Sequence, residues 1–423
     1  MQYLNTNNIK YIDNTIFVEK IKVKDLALEF GTPLHIYSYN QLLENYQKLR
    51  TQLDKYIPRV KIYYASKANT NISIIKALHS FGVSVDVNSM GEMYKAIKAG
   101  VQPKNMIFSG VGKTYNEIEF GIDNNIHFFK CESFSEIMHI NDIAEKKNKF
   151  IKYAIRINPD VDAHTTSHIT TGTYLNKFGI LIEDLINNID FIKSLKNIEL
   201  KYLAVHLGSQ IFDIEPFAAT FDKLLQLIDK LKSYGIIIEE IDLGGGLGVS
   251  YQPDGRQFPV ETYAKLIAEK FGNIDIDISI EPGRYLVANA GILITKLLYC
   301  KQNRNKLFYI VDAGMNDMIR PALYESYHHI QPVHIKNKET VKVDVVGPVC
   351  ESTDAFAKDR IINRCDEDDL LAIMTSGAYG SVLSSNYNGR LRPAEILVNS
   401  DKYFVIKRRD ILDNLLLGEE IIQ

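Results

Sequence analysis

The chain has 423 residues, 46% of them hydrophobic and 24% charged, with a formal net charge of -3. These values predict a globular protein of two or three domains, and the near-neutral charge argues against a nucleic-acid partner. No leader-like start and no bilayer-length apolar run are seen, so we expect a cytoplasmic protein without a membrane anchor. The 4 cysteines lack metal-ligand spacing and are too sparse for a disulfide framework, which predicts reduced thiols and no metal site.

From residue 60 to about 284, short β-rich apolar runs alternate with amphipathic segments of helical length. The predicted strands are Lys61–Ala65, Val83–Val87, Met106–Phe108, His127–Lys130, Ile151–Ile157, Tyr202–Leu207, Glu239–Leu243 and Asp277–Glu281. The predicted helices are Asn71–Gly82, Gly91–Ala99, Ser135–Lys146, Glu183–Leu195, Phe217–Tyr234 and Glu261–Phe271. Alternating β/α units of this number predict a closed parallel (β/α)8 TIM-like barrel over residues 31–284. An open doubly wound sheet is the alternative.

The remaining chain, residues 1–30 and 285–423, is predicted to form a mainly β domain. Its strand-like runs are Ile9–Ile12, Thr15–Val18, Leu307–Val311, Val341–Val346, Leu370–Met374 and Tyr403–Lys407, with few helical segments between them. Within the barrel region, the connection from Asn158 to Gly179 is long and polar. Long loops inside compact domains commonly carry function, so we regard this one as a candidate functional loop.

Functional groups of a β/α barrel cluster at the carboxyl ends of its strands, and Lys67 follows the first predicted strand. We expect its side chain to be partly buried at the mouth of that strand. Desolvation would then lower the pKa of the amine and free it for Schiff-base chemistry. The alternative is a strand-end lysine that simply points into water.

Three further features stand at strand ends: His206, the loop Gly244-Gly245-Gly246, and Glu281. The glycines could expose backbone N–H groups to a phosphate, with Ser209 adding a hydroxyl, or they could form only a tight turn. Their spacing fits neither a Walker loop nor a dinucleotide fingerprint. Glu281 could hold a protonated ring nitrogen, or could form a structural salt bridge to Arg284 or another base. His206 could stack over the ring, or could be a core histidine.

Together these residues predict a site for pyridoxal 5'-phosphate. The chain resembles the diaminopimelate decarboxylase family, within the alanine-racemase-like (fold type III) pyridoxal-phosphate enzymes. The resemblance is nearly end to end and rests on the motifs Tyr64–Asn69, His206–Gln210, Gly244–Gly246, Glu281–Arg284, Arg320–Tyr324, Gly347–Ser352, Gly377–Gly380 and Tyr387–Glu395. Ser66 and Gly389 depart from the residues that are frequent in the family, but neither departure removes a reactive group.

The resemblance implies decarboxylation of meso-2,6-diaminopimelate to L-lysine and CO2, the last step of lysine biosynthesis. It implies that Lys67 binds the cofactor covalently and that Glu281 pairs with the ring nitrogen. The other implied cofactor contacts are His206, Ser209, Gly244, Gly245, Gly246, Gly283, Arg284 and Tyr379. Cys350 resembles the family's proton donor, which comes from the partner subunit, so a homodimer with shared sites is expected.

For the substrate, Arg284 and Arg320 can each grip a carboxylate through paired hydrogen bonds, and Tyr324 can add a hydroxyl. Glu351 offers a charge for an ammonium group, and Tyr379 is a further substrate contact. Because ornithine has no distal carboxylate, this set favours diaminopimelate over the substrates of the related ornithine and arginine decarboxylases.

Two other functions remain open from the sequence. A racemase of this fold would place arginine at the ring nitrogen, so Glu281 argues against it. A non-catalytic pyridoxal-phosphate carrier, as some single-domain relatives are, would lack the second domain with Cys350, Glu351 and Tyr379.

Overall fold

The computed structural model describes residues 3–161, 177–336 and 338–422. Its strands are β1 (Ile9–Ile12), β2 (Thr15–Val18), β3 (Ile21–Lys22), β4 (Leu34–Ser38), β5 (Lys61–Ala65), β6 (Ser84–Val87), β7 (Met106–Phe108), β8 (Phe128–Cys131), β9 (Ile151–Asn158), β10 (Ile180–Leu181), β11 (Ile198–Val205), β12 (Glu240–Asp242), β13 (Asp277–Ile280), β14 (Gly291–Asn303), β15 (Lys306–Val311), β16 (Ile330–Pro332), β17 (Thr340–Val346), β18 (Ala355–Asn363), β19 (Leu370–Ile373), β20 (Ala394–Asn399) and β21 (Lys402–Lys407). Its helices are α1 (Val23–Phe30), α2 (Tyr39–Tyr56), α3 (Ile72–Ser80), α4 (Met90–Lys98), α5 (Tyr115–Asn124), α6 (Phe134–Lys146), α7 (Ile182–Asn187), α8 (Ile189–Ser194), α9 (Glu215–Ser233), α10 (Val260–Phe271), α11 (Arg284–Val287), α12 (Arg320–Tyr324) and α13 (Leu412–Leu415).

The chain divides into two compact units. The barrel unit comprises residues 46–249 and 257–285, and the β unit comprises residues 1–45, 250–256 and 286–423. The strand Leu34–Ser38, which the sequence analysis includes in the barrel region, pairs with β14 and β20 of the β unit. No helix within the described residues is long and apolar enough to cross a membrane.

The barrel unit contains one closed sheet of parallel strands. Within the described residues its order is β5-β6-β7-β8-β9-β11-β12-β13, and β13 pairs with β5 again; the short β10 adds to β9. The predicted (β/α)8 barrel is therefore confirmed, and the open doubly wound sheet is excluded. Every strand predicted for this region overlaps an observed strand, with ends that differ by up to a few residues.

Apolar strands and capped helices explain why this region forms a barrel. Inside it, Tyr63, Phe128 and Tyr202 are buried together, with the rings of Phe128 and Tyr202 4.6 Å apart. Two of the helices that cover the strands, α4 and α6, start at serine caps. Ser89 and Ser133 accept hydrogen bonds from the backbone of Glu92 and Glu136, which satisfies otherwise unpaired N–H groups at the first turns of α4 and α6. The carboxyl ends of the strands therefore meet at one rim, which positions the site.

The β unit contains a large mixed sheet with the order β18-β17-β15-β14-β4-β20-β21, and β16 and β19 extend it beside β14. The strands predicted in this region are observed, but β3, β4, β14, β16, β18 and β20 were not predicted. A second sheet, β1-β2-β3, is joined to this unit by the hydrogen bond from Ile16 N to Val333 O. The candidate functional loop Asn158–Gly179 lies largely outside the described residues.

Candidate active site

A pocket opens among the carboxyl ends of the barrel strands and encloses about 510 Å³ of space, part of it open to solvent. Three predicted site residues line it: Lys67, His206 and Glu281. Lys130, Asp86 and Arg156 also line it, although the sequence analysis did not single them out. The structure thus brings the predicted amine, imidazole and carboxylate to one cavity of the barrel unit.

Lys67 lies in a single 3-10 turn, Ser66–Ala68, directly after β5. The neighbouring Ser66 is buried, and its hydroxyl lies 2.9 Å from Asp86 O and 2.8 Å from Glu92 Oε2, so its one proton can be donated to either acceptor. The Lys67 side chain itself is exposed. The prediction that Lys67 is partly buried is therefore wrong, because Lys67 lies in a turn beyond the last residue of β5, where its side chain lines the pocket and remains exposed.

Glu281 follows β13 and is 7% exposed. Its backbone N–H donates to Gly244 O at 2.8 Å, and its Oε1 forms an ion pair with the Lys130 ammonium. Burial alone would raise the pKa of Glu281, but the charge and hydrogen bond of Lys130, followed by Lys67, lower it to about 2. Glu281 is therefore an anion at neutral pH. The structural alternative, a salt bridge to a base, is present as well, with Lys130 as the base.

Glu281 belongs to a buried group that we call the carboxylate cluster: Lys130, Asp86, Asp242 and Glu281. Lys130 is 3% exposed, and its Nζ lies 2.7 Å from Asp242 Oδ2. Burial and the charge of Glu281 raise the pKa of Asp242 well above its usual value, and burial followed by the charge of Glu281 raises the pKa of Asp86 to about 7. One buried lysine thus faces three buried carboxylates, and the cluster is short of positive charge.

A sequence signal for the missed members of the cluster was present. Asp86, Lys130 and Asp242 each interrupt an apolar strand near its carboxyl end, in Ser84–Val87, Phe128–Cys131 and Glu240–Asp242. A charge inside a buried strand is costly unless another charge pairs with it. Such residues in neighbouring barrel strands can therefore be expected to face one another.

His206 follows β11 at the same rim. Its Nδ1 accepts a hydrogen bond from Gly245 N at 3.3 Å, so the proton of the neutral ring lies on Nε2. Burial, followed by the charges of Lys67 and Arg156, holds the pKa of His206 well below its usual value. The imidazole is therefore neutral at neutral pH, which suits a flat stacking surface.

The glycine loop packs tightly between the ends of β11 and β13. A Cβ added at Gly244 would lie 2.2 Å from Val205 O, and one added at Gly245 would lie 2.2 Å from Glu281 O. Gly244 N donates to Asp242 and Gly245 N donates to His206, so two amides of the loop already have protein partners. The tight-turn interpretation thus accounts for Gly244 and Gly245, and of the three amides only that of Gly246 remains a candidate for binding a phosphate.

Ser209 and Arg284 lie together beside this loop. Arg284 Nη2 donates to Ser209 Oγ at 3.1 Å, so the Ser209 hydroxyl proton can be donated to another acceptor. Arg284 is 8% exposed, although it lies at the start of the short helix α11. Gly283, next to it, packs against Ala65, where an added Cβ would lie 3.1 Å from both Ala65 Cβ and Ala65 O. A serine hydroxyl beside a guanidinium is a suitable donor pair for a phosphate group.

These residues fit pyridoxal phosphate. The carboxylate cluster holds three carboxylates and one ammonium, and a protonated ring nitrogen beside the ionised Glu281 would supply a second positive charge. The amine of Lys67 lines the same pocket. The Ser209 hydroxyl and the Arg284 guanidinium, which lie 3.1 Å apart beside the glycine loop, provide donors for the phosphate group.

In the β unit, Arg320 begins the short helix α12 and is 5% exposed. Its Nε donates to His328 Nε2 at 3.2 Å, and its guanidinium lies 5.3 Å from the ring centre of Tyr251 and 6.0 Å from that of Tyr379. Tyr324, at the end of the same helix, is 39% exposed. Arg320 and Tyr379 are therefore neighbours, as a shared role in binding requires.

Cys350 and Glu351 are both exposed in the single chain. Their positions are fixed by the segment around residue 388: Cys350 N donates to Asn388 Oδ1 at 2.9 Å, and Tyr387 Oη donates to Glu351 Oε1. The thiol and the carboxylate are thus presented at the surface by two ordered turns. Within the described residues, no group of acidic, histidine and cysteine side chains could hold a metal ion.

Comparisons with known proteins identify relatives that match this chain over nearly its whole length. Residues 40–288 match the family model described as "Pyridoxal-dependent decarboxylase, pyridoxal binding domain". The diaminopimelate decarboxylase of Aquifex aeolicus is 40% identical over 408 residues, which cover 96% of each chain. The crystal structure of the M. jannaschii diaminopimelate decarboxylase with L-lysine aligns with a TM-score of 0.93 at 34% identity and covers 99% of each chain. The Helicobacter pylori enzyme with L-lysine aligns with a TM-score of 0.89 at 38% identity, over 94% of this chain and 98% of that one.

Proposed function

Because the chain belongs to the diaminopimelate decarboxylase family of pyridoxal-dependent decarboxylases, we propose that it converts meso-2,6-diaminopimelate to L-lysine and CO2. The observation that carries this proposal is that the Lys67 amine and the ionised Glu281 line one pocket. We place the reaction in the cytoplasm, in keeping with its small-molecule substrate.

Pyridoxal phosphate, when bound, supplies an electron-withdrawing ring that takes up the charge left when a carboxylate departs as CO2. Lys67 would hold the cofactor covalently, and Glu281 would accept the N–H of its ring. His206, neutral and anchored by Gly245, would cover one face of the ring. Ser209, Gly246, Gly283 and Arg284 would surround the phosphate, with Tyr379 from the β unit. The roles of Glu281 and His206 use the ionised carboxylate and the neutral imidazole described above.

The β unit would supply the groups that recognise the distal end of the substrate. The buried Arg320 would bind the distal carboxylate, aided by Tyr324 and Tyr379. Glu351 would attract the distal ammonium, and Arg284 would contribute a second positive charge. A distal end that carries both charges satisfies this set, whereas ornithine would leave Arg320 without its carboxylate.

Cys350 would return a proton to the carbon that loses CO2. Since Cys350 and Glu351 are exposed in the single chain, we propose that they serve the pocket of a second copy. The active form is then a homodimer with shared sites. A thiol is a suitable acid because its usual pKa lies close enough to neutrality for rapid proton exchange.

The test is product identification after purified protein, with added pyridoxal phosphate, is incubated with meso-diaminopimelate. We expect CO2 and L-lysine in equal amounts. Parallel incubations with ornithine and arginine are the controls for the substrate, and CO2 from either of them but not from diaminopimelate would refute the assignment. Interconversion of diaminopimelate stereoisomers without CO2 would instead establish a racemase. Cofactor binding without any turnover would support a carrier.

A further inference from the structure

Two lysines line the cofactor pocket, and their surroundings give them different chemistry. Lys67 is exposed on a turn, whereas Lys130 lies on β8 and is 3% exposed. Burial alone would lower the pKa of Lys130, but Asp242, Glu281 and Asp86 together raise it far above its usual value. Lys130 therefore remains an ammonium ion, which is not a nucleophile, and its function must differ from that of Lys67.

The contacts of Lys130 indicate what that function is. Its ammonium binds Asp242 Oδ2 at 2.7 Å and also Glu281 Oε1. This leaves Oε2 as the Glu281 oxygen that can face a ring nitrogen. The Glu281 backbone is held separately by Gly244 O. Lys130 thus fixes the direction of the Glu281 carboxylate through their ion pair.

Without Lys130 the cluster would contain three buried carboxylates and no buried cation. Neighbouring carboxylates in such a site share protons, because like charges at short distance cannot all remain ionised. The other titratable or charged groups that interact with the cluster or with His206 are Lys67, His206, Arg156, Tyr63 and Tyr263. None of these groups forms an ion pair with Glu281 in the described part of the chain, whereas Lys130 does. Loss of Lys130 would therefore let Glu281 take up a proton near neutral pH.

We propose that Lys130 is a positioning residue for the cofactor: its ion pair keeps Glu281 deprotonated and directs the free carboxylate oxygen towards the ring nitrogen. A protonated Glu281 would carry no negative charge to pair with the N–H of a cationic ring, so Lys130 acts on the cofactor through Glu281. The inference rests on the proposed function only in its assumption that the pocket binds pyridoxal phosphate.

The test compares cofactor affinity at pH 6 and pH 8 for the wild type, Lys130→Met and Lys130→Arg, measured by absorbance titration of the cofactor-free proteins. For Lys130→Met we expect binding at pH 6 to be about tenfold weaker than at pH 8 for each pKa unit by which Glu281 rises above 6. The wild type and Lys130→Arg should show little difference between the two pH values. Equal affinities and pH profiles for Lys130→Met and the wild type would refute the proposal.

The matched control is Lys61→Met, which removes a lysine that also bridges two carboxylates, Glu240 and Asp277, away from the pocket. It should bind the cofactor like the wild type at both pH values. If Lys130→Met does not fold, the double variant Lys130→Met/Asp242→Asn is used, which also removes the carboxylate that loss of Lys130 leaves unpaired. The asparagine can still accept the hydrogen bond from Gly244 N, so the glycine loop keeps this contact. This double variant should show the same loss at pH 6, and wild-type binding by it would overturn the proposal.

These measurements separate the two proposals. Normal cofactor binding by the wild type, without CO2 release from diaminopimelate, would refute the proposed substrate and leave the Lys130 comparison valid. Normal CO2 release, with no effect of Lys130→Met on binding or its pH dependence, would refute only the role of Lys130.

Discussion

The barrel carries two lysine–carboxylate clusters, one at each end of its strands. The carboxylate cluster contains Lys130, whose side chain is 4% exposed. The other, which we call the N-terminal cluster, contains Lys61, His127, Glu240 and Asp277 at or near the first residues of their strands. Lys61 Nζ lies 3.0 Å from Glu240 and 2.9 Å from Asp277, His127 Nε2 lies 3.0 Å from Glu240, and the Lys61 side chain is 42% exposed.

The two clusters shift the pKa of a buried carboxylate in opposite directions at Glu240 and at Asp86. In the N-terminal cluster, burial would raise the pKa of Glu240, but His127 and Lys61 lower it, so the fold stabilises the charge. In the carboxylate cluster, burial and Glu281 raise the pKa of Asp86 to about 7, so the fold opposes that charge. The ratio of cations to carboxylates and the access of water decide which outcome holds. A charge deficit in a buried site is the expected mark of a ligand-binding end.

The largest expected contrast concerns the two lysines that flank β5. Lys67→Ala should abolish decarboxylation, because no other lysine of the pocket has a reactive amine, and should remove the absorbance band of the bound cofactor. Lys61→Ala should retain both activity and absorbance, since Lys61 is at the opposite end of the strand. Absorbance spectra and CO2 release from the two purified variants test the difference. Comparable activity in the two variants would contradict the placement of the active site at the carboxyl ends of the barrel strands.

Cys350→Ala should lower turnover about 10²–10⁴-fold, the usual contribution of a general acid, while cofactor binding stays nearly unchanged. The contrast with the barrel residues is that Cys350 acts on a proton and does not hold the cofactor. Steady-state rates and cofactor titration are the measurements. An unchanged rate would refute the proton-donor role.

The same two variants test whether sites are shared between subunits. Mixed Lys67→Ala and Cys350→Ala subunits should recover roughly a quarter of the native activity if they assort at random into dimers. Each variant alone is the control. No recovery on mixing would indicate sites built from a single chain.

Asp86→Asn should stabilise the cofactor-free protein at pH 8 and have little effect at pH 4. The raised pKa of Asp86 means that the folded state prefers its protonated form, so the wild type loses stability as pH rises from the usual value of 3.8 through about 7. The full gain is at most about 4 kcal/mol. Thermal unfolding at pH 8 and pH 4 measures this gain in stability. An equal change in unfolding temperature at the two pH values would contradict the raised pKa of Asp86.

Glu240→Gln should have the smallest effect and the opposite sign. The lowered pKa of Glu240 means that its charge stabilises the fold above the usual value of 4.5, and that this contribution is lost as pH falls through the folded pKa. We expect a loss of about 1–2 kcal/mol at pH 7 that disappears in acid, with unchanged cofactor affinity. Thermal unfolding between pH 3 and pH 7 tests the loss of stability. Weaker cofactor binding by Glu240→Gln would contradict the conclusion that only the carboxyl ends of the barrel strands bind the cofactor.

The fold and the reactive groups could largely be predicted from the sequence, since alternation of apolar strands and amphipathic helices determines the barrel and its rim. Features that depend on exposure in the folded chain, or on contacts between distant residues, could not be predicted. Strand β14 was missed because its exposed half, with Lys301 and Gln302, obscures the buried half that begins at Gly291. The exposure of Lys67 depends on a local turn, and the pairing of Lys130 with Asp242 joins residues more than one hundred positions apart.

The pairing of strand β4 with strands that come much later in the sequence determines which parts of the chain can fold first during synthesis. Strand β4 is made early, ending at Ser38, but its sheet neighbours begin at Gly291 and Ala394. At about 5–20 residues per second, β4 must wait roughly ten seconds or more for its first partner. The barrel strands, which lie between them in sequence, can pair during that interval. Nascent chains would therefore pass through a stage in which the pocket wall is complete while an apolar strand, Leu34–Ser38, still lacks its sheet, and a chaperone that binds extended apolar segments would find its target there.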